Sequence, residues 1–136
     1  MVGPGREPAV TTLGVGIDVV DVARVKRLLE NRGGRVLERL LTHEERTYCL
    51  TKAEPARHVA VRVAAKEAAF KAFQSGGARR MIGWLEIEVQ REPHGEPTLV
   101  LHGRAQQCAE DLCMARALVS LSHSHTQAVA IVLLLA

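Results

Sequence analysis

The sequence predicts an α+β fold in which an antiparallel sheet packs on one long central helix. A stretch rich in alanine, lysine and glutamate runs from Pro55 to about Gln74 without an interior glycine or proline, which favours a helix. Apolar and polar residues alternate at 84–91 and 98–102, as in a hairpin of half-buried strands. A chain of 136 residues that combines such helices and strands fits a single α+β domain.

Composition and charge exclude several classes of protein. Hydrophobic residues make up 47% of the chain and charged residues 24%, which is typical of a soluble globular protein. The net charge is only +3 and aromatic residues are 3%, so neither a basic run nor an aromatic platform indicates nucleic-acid binding. The apolar tail Ala128–Ala136 is far shorter than the roughly 20 residues of a membrane helix. We therefore expect neither a nucleic acid nor a membrane as a partner.

The three cysteines, an odd number, do not have the spacing of a metal site. Cys108 and Cys113 lie five positions apart, which is not a CxxC pair, so we expect the cysteines to be small buried apolar residues. Because no signal peptide is apparent, the expected compartment is the reducing cytoplasm.

A glycine- and proline-rich stretch, residues 1–12, is expected to form a flexible N-terminal arm ahead of a domain at 13–136. The domain begins with the apolar strand Leu13–Val20, which contains glycine at alternate positions, Gly14 and Gly16. Such glycines let another backbone or a ligand come close. The pattern is not a dinucleotide-binding fingerprint, because a third glycine and a βαβ unit are absent.

Asp18 lies in the same apolar strand, where a carboxylate is costly without a partner. One role for it is to cap the following helix, but Asp21 is better placed for capping. We therefore regard Asp18 as a candidate site residue.

Capping signals and periodicity predict the next helices. An amphipathic helix covers about residues 22–32, ends at Gly33-Gly34 and presents Arg24 on its outer face. A short helical turn follows at Val36–Leu41. The capping box at Thr42–Glu45 then starts a helix that continues to about Leu50.

The second half of the chain is mainly strands. The strands Trp84–Arg91 and Thr98–His102 form the hairpin, and a helix is expected at Arg104–Ala115. Two more strands are expected at Leu118–Ser122 and Ala128–Leu135. The last of these is nearly all apolar, which predicts burial on both faces, through a central sheet position or a subunit interface.

Two charged residues of the long helix, Lys66 and Glu67, fall on or beside its apolar stripe. In one interpretation Lys66 extends its ammonium to solvent and Glu67 pairs with Lys71 one turn later. In the other, the two side chains face a polyanion or a metal. The stripe consists of Val59, Val63, Phe70 and Phe73.

Three separate segments together suggest a phosphoryl-transfer site: Asp18, Lys66-Glu67, and Ser120–His123. Two carboxylates suit Mg²⁺, which typically binds one or two carboxylates and completes its shell with phosphate oxygens and water. Arg62 and Lys66 lie one turn apart and Lys71 is near, so these cations could hold the phosphates.

Five motifs, in the same order and at similar spacing, closely resemble those of the holo-acyl-carrier-protein synthases. These are small single-domain phosphopantetheinyl transferases, and the likeness covers about residues 13–135. The matching segments are Gly14–Asp18 (GVGID), Arg39–Glu45 (RLLTHEE), Arg62–Ala68 (RVAAKEA), Gly95–Pro97 (GEP) and Val119–His123 (VSLSH).

The resemblance implies that phosphopantetheine is transferred from coenzyme A to a serine of apo acyl carrier protein, releasing adenosine 3',5'-bisphosphate. It also implies a homotrimer with active sites between subunits. It does not separate fatty-acid, polyketide and peptide synthesis. Asp18 and Glu67 would hold Mg²⁺, Glu67 would be the candidate base, and Arg24 would meet the acidic carrier. The residues that would bind coenzyme A are Arg62, Lys66, Lys71, Ser122 and His123, with Lys66 also in a catalytic role.

One residue departs from the family pattern. The family usually has a histidine near the substrate phosphates where this chain has Leu118. An alternative function is therefore a homologue that binds coenzyme A and carrier but has impaired catalysis. His123 is retained, and a hydrogen-bonded turn histidine is the other interpretation of it.

Overall fold

A three-stranded antiparallel sheet packed on one long helix forms the centre of the fold. The computed structural model describes residues 9–32 and 34–136 and confirms the predicted α+β class. The strands are in the order β1-β5-β4, and β2 and β3 form a separate hairpin. The strands are β1 (Thr12–Asp21), β2 (Ile87–Arg91), β3 (Pro97–Leu101), β4 (Arg116–His123) and β5 (Gln127–Leu135). The helices are α1 (Val22–Arg32), α2 (Gly34–Leu40), α3 (His43–Leu50), α4 (Pro55–Ser75) and α5 (Gly103–Asp111).

Helix α4 forms because its residues are strong helix formers and its ends carry stop signals. Pro55 occupies the first turn, where its missing N–H costs nothing, and Gly76 caps the other end. Because alanines line much of this helix, neighbouring elements approach it closely, and most of its residues are buried.

The two glycines of β1 allow that strand to lie directly on α4. A Cβ atom at Gly16 would come within 1.9 Å of the Ala68 carbonyl oxygen, and one at Gly14 within 2.1 Å of the Ala72 carbonyl oxygen. Every other residue type would push the strand away from the helix. This close approach carries the end of β1, and with it Asp18, against α4.

Side chains of α4 also cover part of the outer edge of β1. The Ser75 hydroxyl accepts from the Val15 N–H at 2.9 Å and lies 3.0 Å from the Val15 carbonyl oxygen. Lys71 Nζ donates to the Ile17 carbonyl at 3.1 Å. These groups occupy main-chain positions that another strand would otherwise use.

Strand β5 occupies the central position of the sheet. A central position was one of the two predicted explanations for its apolar sequence. Its inward residues pack on α4, but none of the helices and strands described above covers the opposite side of the sheet. Ile17 and Ile131 lie opposite each other on adjacent strands and are 57% and 38% exposed. We call this surface the outer sheet face; its apolar residues are Val15, Ile17, Val19, Leu118, Val129, Ile131 and Leu133.

Two element boundaries differ from the prediction by three or more residues. Residues Trp84–Glu86 form a 3₁₀ turn, so β2 begins only at Ile87. Helix α5 ends at Asp111, because Cys113 has a φ of 56°, a left-handed conformation that a helix cannot continue through. Cys113 is consequently exposed, whereas Cys49 and Cys108 are buried as expected.

The predicted arm and the predicted end of the first helix fall partly outside the described residues, which omit 1–8 and Gly33. Within the described part of the chain, no helix combines the length and hydropathy that crossing a membrane requires.

Candidate active site

The structure brings together Asp18, Glu67 and Lys71, three of the predicted site residues. Lys71 Nζ donates to Asp18 Oδ1 at 2.9 Å, and Asp18 is near enough to Glu67 to raise the pKa of the Glu67 carboxyl. Lys71 therefore pairs with Asp18, in place of the i,i+4 partner Glu67 that one interpretation favoured. Close packing of β1 on α4 is the cause, because it sets the two carboxylates side by side.

Both carboxylates of this pair are in an unusual electrostatic environment. Burial, followed by the hydrogen bond and the charge of Asp18, raises the pKa of Glu67 above its usual range. Asp18 Oδ2 is buried and has no hydrogen-bond partner among the described residues. An unpaired buried oxygen beside a second carboxylate is a donor set that fits a hard cation such as Mg²⁺.

A cavity of about 370 Å³, the carboxylate cavity, opens beside this pair. Its interior is apolar and comes mainly from α1, α2, α4 and the 3₁₀ turn. Its polar lining residues are Asp18, Asp21, Arg24, Glu67 and Gln127. The apolar side chains include Val25, Leu28, Leu37, Leu40, Val63 and Trp84. The predicted carrier-contact residue Arg24 is thus at the same opening as the predicted metal ligands.

Lys66 differs from its predicted role, because its ammonium is enclosed by protein. The residue is 0% exposed, and Nζ lies 2.7 Å from Glu45 Oε1, 2.7 Å from the Leu40 carbonyl oxygen and 2.8 Å from the Trp84 carbonyl oxygen. Three acceptors use all three N–H groups of an ammonium. Burial lowers the pKa of Lys66, and Glu45 opposes that shift. No donor remains for a phosphate.

A second group of charges, only partly predicted from the sequence, surrounds Tyr48. The guanidinium of Arg62 lies 4.3 Å from the centre of the Tyr48 ring, Lys52 Nζ lies 4.4 Å from it and the guanidinium of Arg91 5.8 Å. Arg62 is 2% exposed and its Nε has no hydrogen-bond partner among the described residues. Three cations around one aromatic ring form a positive cluster of the kind that attracts phosphates.

The positive charges around Tyr48 also lower the pKa of His58. Burial lowers this pKa first, and the charges of Arg62, Lys52, Arg91 and His123 lower it further. His123 therefore contributes to the electrostatic environment of the Tyr48 group, and its role in coenzyme A binding stays a prediction.

Only part of the Tyr48 group had a sequence signal. Arg62 was predicted, and Lys52 follows Tyr48 at a spacing of four, the spacing of neighbours on a helix. Arg91 belongs to a distant hairpin, so its position depends on the tertiary fold.

Arg91 and His123 also line a separate cavity of about 320 Å³, the cationic cavity. It shares no lining residue with the carboxylate cavity. Arg62 and Glu67 are five positions apart, which places them about 140° apart around α4. One chain therefore presents the carboxylates and most of the phosphate-binding candidates on different faces, with Lys71 on the carboxylate side.

Two further residues of β4 lie on or near the outer sheet face. Leu118 pairs with Leu133 of β5 and is 42% exposed. Ser122 is exposed, precedes His123 and pairs with Val129. Leu118 is among the lining residues of neither cavity, so within one chain it does not form the wall of the site at which its family counterpart was expected.

Known proteins resemble the chain over nearly its whole length. A family model described as the 4'-phosphopantetheinyl transferase superfamily matches residues 14–132. A holo-[acyl-carrier-protein] synthase from Geobacter metallireducens is 46% identical over 121 residues, covering 89% of this chain and 95% of that protein. The solved holo-[acyl-carrier-protein] synthase from Neisseria meningitidis has a TM-score of 0.80 at 25% identity, covering 91% of this chain and 98% of that one.

Several similar solved structures contain a ligand, and one example is bound to coenzyme A. The Helicobacter pylori holo-[acyl-carrier-protein] synthase, solved in complex with coenzyme A, has a TM-score of 0.75 at 28% identity, with coverage of 88% of this chain and 98% of that one.

Proposed function

Because the chain belongs to the 4'-phosphopantetheinyl transferase superfamily, as its motifs predicted, and is an enzyme of that kind, we propose that it converts apo acyl carrier protein to the holo form. The donor is coenzyme A and the reaction depends on Mg²⁺. The observation that carries this proposal is the Asp18–Glu67 carboxylate pair at the mouth of an apolar cavity, with cations available for phosphates.

The carboxylate pair has the metal-binding and proton-accepting roles. Asp18 and Glu67 would hold Mg²⁺, which supplies charge neutralisation of the coenzyme A pyrophosphate when bound. The carrier serine attacks the β-phosphorus, and the bond from that phosphorus to the oxygen of the departing adenosine 3',5'-bisphosphate breaks. Glu67 accepts the serine proton through a water molecule, because a carboxylate that also holds a metal is too weak a base for direct transfer.

The cations bind the phosphates from two sides. Lys71 already directs its ammonium to the carboxylates and can contact a phosphate bound there. Arg62, Arg91 and His123 bind the remaining phosphates, with Ser122 as a neighbouring hydrogen-bond donor. Lys66 is not included, since its ammonium is fully paired.

An acidic carrier protein docks at α1, with its serine directed to the carboxylate cavity. Arg24 is exposed on α1, and it lines the opening that Asp18 and Glu67 share. Opposite charge at this rim would guide association and make it sensitive to salt.

Arg24→Glu is expected to raise the KM for apo carrier by about tenfold or more, because it replaces an attraction with a repulsion at the docking rim. The Kd for coenzyme A should stay within about twofold, since cations other than Arg24 are proposed to bind the phosphates. Calorimetric titration with coenzyme A and steady-state kinetics with carrier measure the two quantities separately. If Arg24→Glu weakened coenzyme A binding and carrier binding equally, Arg24 would belong to the coenzyme A site.

The active unit is a homotrimer in which each site lies between two subunits. Two features support this. The outer sheet face is apolar and uncovered within one chain, and Ser120 connects it to the cationic cavity. The separation of the carboxylate and cationic cavities is explained if one subunit supplies the first and its neighbour the second.

On the acid side of the pH profile, we expect transfer activity to fall at a higher pH than it would if Glu67 had the pKa of an ordinary glutamate. The pKa of Glu67 is raised above 4.5, so its proton competes with metal binding already at pH values where a typical carboxyl is ionised. The profile of kcat/KM for coenzyme A against pH, at subsaturating Mg²⁺, checks this. An acid limb centred at or below 4.5 would contradict it.

The test of the function is the mass of an apo carrier protein after incubation with coenzyme A and Mg²⁺. We expect the carrier to gain one phosphopantetheine, with no gain in the presence of a chelator. No gain from correctly folded trimer would exclude the transferase, and retained coenzyme A binding would then favour the alternative of a non-catalytic homologue. Leu118→His tests whether Leu118 impairs catalysis. A large gain in the transfer rate is expected only if Leu118 limits that rate.

The reducing cytoplasm is the proposed compartment. All three cysteines are free in the structure, as they would be there.

A further inference from the structure

Lys66 and Glu67 are adjacent in the sequence but point to different sides of α4. Glu67 meets Asp18, whereas Lys66 enters a buried cluster and ion-pairs with Glu45 at 2.7 Å, where their side chains are 0% and 1% exposed. A buried ion pair of this kind adds little net stability, although removing one partner is strongly destabilising. Its role is therefore to be found in the segments that it holds together.

The ammonium joins α4 to two other segments through their backbone. It donates to the carbonyl oxygen of Leu40, at the end of α2, and to that of Trp84, in the 3₁₀ turn. The side chains of Leu40 and Trp84 both line the carboxylate cavity, which Glu67 also lines. Lys66 thus connects the helix that carries Glu67 to the opposite apolar wall.

Glu45 is itself fixed, so the connection is rigid. Its Oε1 accepts from the Thr42 N–H at 2.9 Å and its Oε2 from the Val89 N–H at 3.0 Å. Trp84 is packed edge-on against Phe70 of α4, with ring centres 5.0 Å apart. The wall is therefore held to α4 by a polar contact on one side and an aromatic contact on the other.

We propose that Lys66 is a positioning residue: it sets the spacing between Glu67 and the Leu40–Trp84 wall, and so shapes the opening that admits the carrier serine. This inference rests on the proposed function for the identity of the incoming group. Lys66 then affects the acceptor, the carrier serine, indirectly through the position of this wall. It does not contact a phosphate of coenzyme A.

The experiment compares Lys66→Met and the double variant Lys66→Met/Glu45→Gln with the wild-type trimer. The single change leaves a buried carboxylate unpaired, and the double change removes that charge as well. Trp84 is the chain's single tryptophan, so acrylamide quenching of its fluorescence reports on the wall directly. We expect quenching of Trp84 to rise by about twofold in the double variant, because its carbonyl has lost the ammonium.

Steady-state and binding measurements then separate the two substrates. In the double variant the KM for apo carrier should rise by about tenfold, while the Kd for coenzyme A should change by less than about twofold. Lys71→Met is the contrast, because it removes an ammonium on the carboxylate side and should weaken coenzyme A binding.

Each outcome decides the proposal. Unchanged Trp84 quenching with unchanged carrier KM would overturn it. So would a loss of coenzyme A affinity that exceeds the loss for carrier, since that is the signature of a phosphate contact. If neither variant folds, Lys66 serves the whole fold and the proposal is also overturned. A wild-type protein without transfer activity would sink the proposed function alone, because the quenching measurement does not depend on turnover.

Discussion

Asp18→Ala and Glu67→Ala are each expected to lower the rate of carrier modification by about a thousandfold or more, without loss of the fold or of the proposed assembly. Each removes one of the two carboxylates proposed to hold the metal, and Glu67→Ala also removes the proposed base. Mass spectrometry of the carrier under single-turnover conditions measures the effect. Glu110→Ala, an exposed acid on α5, is the matched control and should leave the rate unchanged.

Glu67→Ala should not be less stable than the wild type at neutral pH. A carboxyl whose pKa is raised on folding binds its proton more tightly in the folded state, so when ionised it lowers stability. Removing Glu67 should therefore raise Tm near pH 7, and the gain should vanish as pH falls below the usual carboxyl range. A folded variant with near-normal turnover would show that the substituted residue does not hold the metal.

Ile131→Lys is expected to convert the proposed trimer to monomers and to abolish transfer. Ile131 lies at the centre of the outer sheet face, between Ile17 and Ser120 on the adjacent strands. An ammonium buried in each contact without a partner costs several kcal/mol, which is enough to dissociate a modest interface. Light scattering gives the mass, and the circular dichroism spectrum should remain that of the wild type. Met81→Lys, at a residue 81% exposed in a loop, is the control.

Complementation between two inactive variants tests whether each active site combines side chains from two subunits. Asp18→Ala trimers and Arg91→Ala/His123→Ala trimers should each be inactive. If they are dissociated, mixed in equal amounts and reassembled, about a quarter of the sites combine intact halves from two different subunits, so about a quarter of the activity should return. No recovery on confirmed mixing would mean that each site is built within one chain.

The sequence was a good guide wherever a residue's neighbours are fixed by its own element. The long helix, the capping box at Thr42 and the strand with alternate glycines are local patterns, and each element formed where it was expected. Lys66 shows the limit of such patterns. Helical periodicity placed it on the stripe, but only the fold brings Glu45 and two carbonyl groups around its ammonium.

The same limit applies to long-range partners. Lys71 had a suitable partner one turn away, yet it pairs with Asp18 because β1 lies so close to α4. Arg91 reaches Tyr48 from a hairpin about forty residues away in the sequence, and periodicity carries no information over such a distance. The separation of the two cavities likewise follows from the packing around α4.

The covered edge of β1 limits how copies of this chain can associate. Unpaired strand edges invite open-ended addition of strands, which leads to fibres and aggregates. Ser75 and Lys71 already occupy main-chain groups of Val15 and Ile17, so pairing another strand there would first break existing hydrogen bonds. The apolar surface available for self-association is instead a sheet face, whose contacts can close into a ring. The helix that carries Glu67 thus also favours a finite assembly over indefinite growth.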